Sequence, residues 1–225
     1  VNKAVDHSPR PEDRRIIRIL HAINLLFCRV YHHLTIISPL RIERRGAAII
    51  VCNHISSLDP MLLQAACPKR LIVWMMASEY MDLPMLGWAF GTIGVIPVQR
   101  DGHDSGPLRA ALRALAAGRV IGIFPEGEIS TDGQLRSFQN GVALLAIKSK
   151  APVYPVYQDG THRNRTMLGA YADPANAFIT FGSPVEIIYG NSSKENIDQT
   201  AAAIQNAVSQ LGQQVHDYMQ RVKHI

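Results

Sequence analysis

Three cysteines in 225 residues, Cys28, Cys52 and Cys67, show neither metal-ligand spacing nor a pairing framework. A disulfide scaffold and a structural metal site are therefore not expected, and the thiols fit a reducing compartment. Long apolar runs are also scarce. Although 47% of the residues are hydrophobic and only 18% charged, no charge-free stretch reaches the ~20 residues that a membrane-spanning helix needs. The chain has no phosphate-cradling P-loop and no Gly-x-Ser-x-Gly elbow, and Gly102-His103-Asp104-Ser105-Gly106 does not fit that elbow. Nucleotide hydrolysis on a P-loop and elbow-type serine hydrolysis are thereby set aside. No repeat, low-complexity tract or linker divides the sequence, and its length suits one well-packed core.

What charge there is lies unevenly. Residues 1–45 hold nine Lys/Arg against four acids, whereas the remaining 180 residues carry 14 of each sign. A local basic anchor fits this better than a nucleic-acid surface, and no nucleic-acid partner is expected. From Ile16 to Leu34 the residues Arg18, His21, Arg29 and His32 share one helical face, with Ile16, Ile19, Leu20, Ile23, Phe27, Val30 and Leu34 opposite. Burying a central arginine in hydrocarbon costs roughly 2.5 kcal/mol or more, so a helix lying on the membrane is preferred to one crossing it. Packing on the protein's own core is the alternative. Residues 1–45 are accordingly expected to form a basic amphipathic membrane-anchoring segment, and 46–225 the main domain.

Within that domain apolar strand-like runs alternate with helical patterns. Ala47–Ile50, Leu71–Ala77, Gly94–Val98, Val120–Phe124, Val153–Val156 and Ala177–Phe181 read as strands. Helices are expected from Asp59, over Pro84–Phe90, Leu108–Ala117 and Phe138–Lys148, and over Ser192–Lys223, where Ser192 and Glu195 have capping-box spacing. Such alternation predicts a single α/β domain, its mostly parallel central sheet covered by helices on both faces, with chemistry at the C-terminal ends of the strands.

The strand over Ala47–Ile50 leads to Asn53-His54-Ile55-Ser56-Ser57-Leu58-Asp59-Pro60. Asp-Pro is a helix-start signal, so a short Ser-containing loop joins an imidazole at a strand end to a carboxylate at a helix start. Folded back, Asp59 would orient His54 as a general base; Asp59 as a simple helix cap and His54 as a hydrogen-bonded loop residue are the plainer alternatives. Arg100 and Pro125-Glu126-Gly127 follow other strands, and a base, a cation and a carboxylate together suit group transfer to a hydroxyl on an anionic acceptor.

Four blocks carry a resemblance: Asn53–Pro60, Gly94-Val95-Ile96-Pro97-Val98-Gln99-Arg100, Phe124-Pro125-Glu126-Gly127 and Ala151-Pro152-Val153-Tyr154-Pro155-Val156. In order and spacing they resemble the motifs of the glycerolipid acyltransferases, the lysophosphatidate (1-acylglycerol-3-phosphate) acyltransferase family. The resemblance implies that His54, oriented by Asp59, deprotonates the hydroxyl of a lysolipid acceptor, which attacks the thioester of acyl-CoA or an acyl carrier protein directly. It implies that Arg100 binds the acceptor phosphate and that Glu126 and Gly127 shape the acceptor site, with Asn53 and Ser57 as further substrate-binding candidates. No cofactor beyond the thioester co-substrate is implied, and the expected place is a membrane surface on the cytoplasmic side, peripheral or monotopic.

The chain also departs from the family pattern. Where the family continues Glu-Gly with Thr-Arg-Ser, this chain has Glu128-Ile129-Ser130, and the basic residue usual after the Phe is Gln139. Arg136 and Arg163 are the candidate replacements. A less anionic acceptor such as lyso-ornithine lipid, and a non-catalytic lipid-binding domain of a larger protein, are the alternative readings. Ser56 and Ser57 read as loop formers and Cys52 as a buried small residue. Met61, Met75, Met76, Met81 and Met85 with Trp74 and Trp88 suit an acyl tunnel or a packed core equally, His162 reads as a loop residue, and the Ser192–Lys223 helix suits packing or contact with a further domain.

Overall fold

A computed structural model describes residues 13–82, 93–99, 105–163, 165–190 and 192–223. In chain order the elements are α1 (Arg15–Val30), β1 (Thr35–Ser38), β2 (Ala48–Cys52), α2 (Asp59–Ala66), β3 (Ile72–Ala77) and β4 (Ile96–Val98). There follow α3 (Gly106–Ala116), β5 (Val120–Ile123), α4 (Gly141–Ser149), β6 (Val153–Asp159), α5 (Met167–Ala172), β7 (Phe178–Phe181) and α6 (Lys194–Lys223). The seven strands lie side by side in the order β1-β7-β6-β2-β5-β3-β4. All neighbours run parallel except β6 and β7. The domain is thus α/β with a mostly parallel sheet, as the alternation predicts.

β2 is buried along its whole length, which is why it reads as an unbroken apolar run rather than an alternating one. Its side chains still alternate in direction. Ile49 and Val51 meet α3, α4 and α6 through Ala111, Leu145, Ile204 and Val208, whereas Ile50 and Cys52 meet α1 and α2 through Cys28, Leu58 and Leu62. α6 therefore packs on the sheet of its own chain, and Gly212 lets it come against the ring of Tyr157.

Several boundaries differ from the sequence reading. The first helix stops at Val30, because His33 takes a left-handed φ of +42° and turns the chain into β1. Leu34 consequently points into the core, and His32 is fully buried with its ring edge-on to Phe27 and Tyr31. β1 pairs in parallel with β7, so residues 35–38 belong to the sheet and the segment 1–45 contributes a strand to the same domain. The helix expected from Phe138 begins at Gly141, and buried Phe138 donates its N–H to Gln205 of α6. The last helix is capped by Ser193, not Ser192: the Ser193 hydroxyl accepts from Asn196 N–H at 3.3 Å. β1, β7's antiparallel pairing and α5 have no counterpart in the sequence reading. The helix expected over Pro84–Phe90, with Met85 and Trp88, lies outside the described residues.

Candidate active site

β2 ends at Cys52 and hands the chain to a loop that α2 closes. Asp59 is the first residue of α2 and fully buried, yet it does not cap its own helix. Its Oδ2 turns back and accepts from Ile55 N–H at 2.8 Å and Ser56 N–H at 2.9 Å, and lies 2.8 Å from His54 Nδ1. A carboxylate only accepts, so Nδ1 carries the proton and Nε2 is left with its lone pair. Backbone and imidazole are tied to one oxygen, which sets both the loop and the ring. Ser56 serves the loop through its hydroxyl, an acceptor for Leu58 N–H.

The ring is also held on its face. His54 stacks on Phe124 with centroids 4.1 Å apart and planes 13° apart, and Phe124 stacks on Trp74 at 5.0 Å. Trp74 lies against β5 because its pairing partner there is Gly122, where a methyl group would sit 2.5 Å from the indole. An aromatic floor thus runs from β3 through the end of β5 to the imidazole.

Glu126 is buried and both of its oxygens are occupied. Oε1 accepts from His54 N–H at 2.8 Å and Oε2 from Arg136 N–H at 3.0 Å, while Ser130 N–H donates to the His54 carbonyl at 2.7 Å. Burial raises the Glu126 carboxyl above its ordinary pKa, and the two amide donors offset part of that rise. Gly127 makes the turn with φ +78°, its N–H returning to the Phe124 carbonyl at 3.2 Å. Asn53 is buried and turned to β6: its amide donates to the Gln158 carbonyl and accepts from Gln158 N–H, both at 2.9 Å. It is a pin between loop and sheet, not a residue of the cleft wall. Cys52 is buried, and burial with the nearby Asp59 and Glu126 carboxylates pushes its thiol well above the usual range, which suits packing and not nucleophilic attack.

His54, Ser57, Glu126 and Gly127 open on a cleft of about 1590 Å³, lined also by Met61, Trp74, Met75 and Met76 and by residues of α1 and α5. Met61 and Met76 also pack against the core, as does Met81, which is not on the cleft wall. Ser57 contributes its carbonyl to the Tyr171 hydroxyl at 3.2 Å. Arg100 lies outside the described residues. The two candidate replacement cations are paired: Arg136 with Glu128, and Arg163 with Asp159 at 3.1 Å. His162 is a loop residue whose ring lies 2.9 Å from the Pro174 carbonyl.

The family model described as Acyltransferase matches residues 33–159, from the end of α1 to the end of β6. The chain belongs to this acyltransferase family. It is similar to a chloroplastic 1-acyl-sn-glycerol-3-phosphate acyltransferase, LPAT1, of Arabidopsis thaliana, at 32% identity over 51% of this chain and 32% of that protein. It is also similar to a 1-acyl-sn-glycerol-3-phosphate acyltransferase of Borreliella burgdorferi, at 31% identity over 51% of this chain and 46% of the relative. The chain thus spans less than half the length of either. Among solved structures, the 1-acyl-sn-glycerophosphate (LPA) acyltransferase PlsC of Thermotoga maritima superposes with a TM-score of 0.71 at 21% identity, over 92% of this chain and 84% of that one. At that identity the likeness shows the shared fold.

Phe124, Trp74, Gln158 and Arg136 are the site's structural partners that the sequence reading assigned no role in holding His54. Phe124 carried a signal. It follows β5, which pairs in parallel with β2, so an aromatic after one strand lies beside the histidine after the other.

Proposed function

We propose that this acyltransferase-family protein works at a membrane surface, moving a fatty acyl group from the thioester of acyl-CoA or an acyl carrier protein to the hydroxyl of a lysophospholipid such as 1-acylglycerol-3-phosphate. The observation that carries this reading is the His54–Asp59 pair at 2.8 Å, with the other imidazole nitrogen free to act as base. Nε2 takes the acceptor hydroxyl proton as that oxygen attacks the thioester carbon. Collapse of the tetrahedral intermediate breaks the C–S bond, and the imidazolium returns the proton to the leaving thiolate. Asp59 stabilises the imidazolium between those steps.

The names of the relatives support lysophosphatidate as acceptor, with Arg100 as its phosphate ligand. A less anionic lysolipid, lyso-ornithine lipid for example, is the second reading. It is favoured by Ile129 and Gln139 on the cleft wall and by the carboxylates already paired with Arg136 and Arg163. Membrane association, proposed for the cytoplasmic face, is supported by α1, where Ile16, Ile19, Ile23, Leu26 and Val30 are each more than half exposed. Among the described residues no helix is long and apolar enough to cross a bilayer.

Thiol release from acyl-CoA, followed with lysophosphatidate, a zwitterionic lysophospholipid and lyso-ornithine lipid, tests the proposal. Acceptor-dependent release that drops roughly 100-fold or more in His54→Ala is expected. Release absent with every acceptor and donor would favour a non-catalytic lipid-binding domain, and undiminished release in the variant would overturn the role of His54.

A further inference from the structure

Beyond α1, a further outward apolar residue lies on the cleft wall. Leu168, near the start of α5, is 77% exposed, while Ala170 of the same helix is buried. Its direction is set locally: the Thr166 hydroxyl caps α5 by accepting from Gly169 N–H at 3.2 Å. The helix is tied to both of its neighbours, through the Tyr171 hydroxyl to the Ser57 carbonyl of the catalytic loop and through the Tyr31 hydroxyl at the end of α1 to the Ala172 carbonyl. Leu168 and the half-exposed Leu20 of α1 both belong to the cleft wall and are both exposed, so both stand at the rim of the cleft.

Arg15 and Arg18 flank the apolar face of α1, whereas Arg165, before Leu168, is paired with Asp173 at 3.1 Å. Cations next to outward aliphatic residues are the chemistry of a phospholipid interface, where the aliphatic groups enter the acyl boundary and the cations meet phosphate. We infer that Leu168 inserts into the bilayer as a second contact beside α1, so that the cleft rim at Leu20 and Leu168 meets lipid and acyl chains enter past it. This deepens the membrane-surface reading and rests on it. A lipid tail taking this route need not cross water, whose exposure of apolar surface is the cost that an interfacial enzyme avoids.

The three native cysteines are buried, so an environment-sensitive fluorophore can be placed selectively at an introduced thiol. Leu168→Cys and Ile23→Cys of the full chain are labelled and mixed with vesicles of equal parts phosphatidylcholine and phosphatidylglycerol, with and without a nitroxide on the acyl chain. Blue-shifted emission and nitroxide quenching at both positions are expected. In parallel, Leu168→Glu should lower vesicle partition about tenfold with an unchanged melting transition, because a leucine leaving the interface forfeits most of its transfer free energy. A label at position 168 that stays in water while the one at position 23 inserts overturns the second contact and leaves the α1 anchor standing. If neither inserts, the membrane-surface reading falls with it.

Discussion

Glu126 holds the His54 loop from inside, and replacing it should affect both rate and stability. Its two oxygens accept the N–H groups of His54 and Arg136, so Glu126→Gln would turn an amide donor toward one of them. A donor facing a donor in a buried site costs about 1–3 kcal/mol, and kcat is expected to fall roughly tenfold or more. Thiol-release kinetics check this. Stability should also depend on pH. Burial raises the folded carboxyl above its unfolded value, so its contribution is fully present below the unfolded pKa and is lost as pH rises through the folded pKa. Relative to Glu126→Gln, the wild type should therefore gain stability as pH falls through the window just above the ordinary carboxylate range. Denaturant titrations on either side of that window measure it; a difference that is flat with pH would contradict the raised pKa. From the sequence Glu126 read as a shaper of the acceptor site. Its hold on the His54 amide was not legible there, because the two residues are brought together by parallel strands that are distant in sequence.

At the scale of an element, α1 has three faces rather than two. Ile17 and Cys28 enter the core and Asn24 donates to the Met61 carbonyl at 2.9 Å. Ile16, Ile19, Ile23, Leu26 and Val30 face outward, and Arg15, Arg18 and Arg29 occupy the third face. The packed alternative therefore describes one face, and the interfacial one is a proposal for the outward face. Deleting α1 would uncover the core, so surface substitutions give the cleaner test. Ile19→Gln combined with Ile23→Gln should weaken co-sedimentation with anionic vesicles about tenfold or more, since each aliphatic side chain contributes up to ~1.5 kcal/mol of transfer free energy. Salt should weaken wild-type binding without abolishing it, at roughly 1 kcal/mol per basic residue near the surface. Unchanged sedimentation of the double variant would place the anchor elsewhere.

Across the whole molecule the two ends of the parallel strands have different duties. His54, Phe124 and Glu126 follow strand C-termini, whereas the opposite ends are joined by Arg70, which is 3% exposed. Its guanidinium donates to the Glu43 carbonyl at 2.9 Å, the Gly46 carbonyl at 2.9 Å and the Gly118 carbonyl at 2.7 Å, tying the segments that enter β2 and β5 to the one that enters β3. Arg70→Met would remove three hydrogen bonds to carbonyls of the exposed Glu43 and Gly46 and the half-buried Gly118, each contributing about 0.5–1.5 kcal/mol net. Stability should fall by at least roughly 2 kcal/mol, read from the denaturant midpoint. A midpoint shift of a few tenths would mean that other donors can replace it.

The motif order, the alternation of strands and helices, and the His54–Asp59 relation are local properties of the chain. A strand end, a five-residue spacing and a helix-start signal put imidazole and carboxylate within reach whatever the rest of the molecule does. The tertiary structure alone decided what surrounds them. β1 and α5 are too short to show a periodicity, and only their pairing with β7 and their ties to α1 and the Ser57 loop make them elements. The engagement of Asn53 was likewise hidden, because Gln158 comes beside it only when β6 pairs with β2, while Arg136 and Arg163 meet Glu128 and Asp159 within segments whose path the sequence pattern does not show. A sequence lists which charges and amides exist; whether each is free for a substrate depends on neighbours that folding supplies.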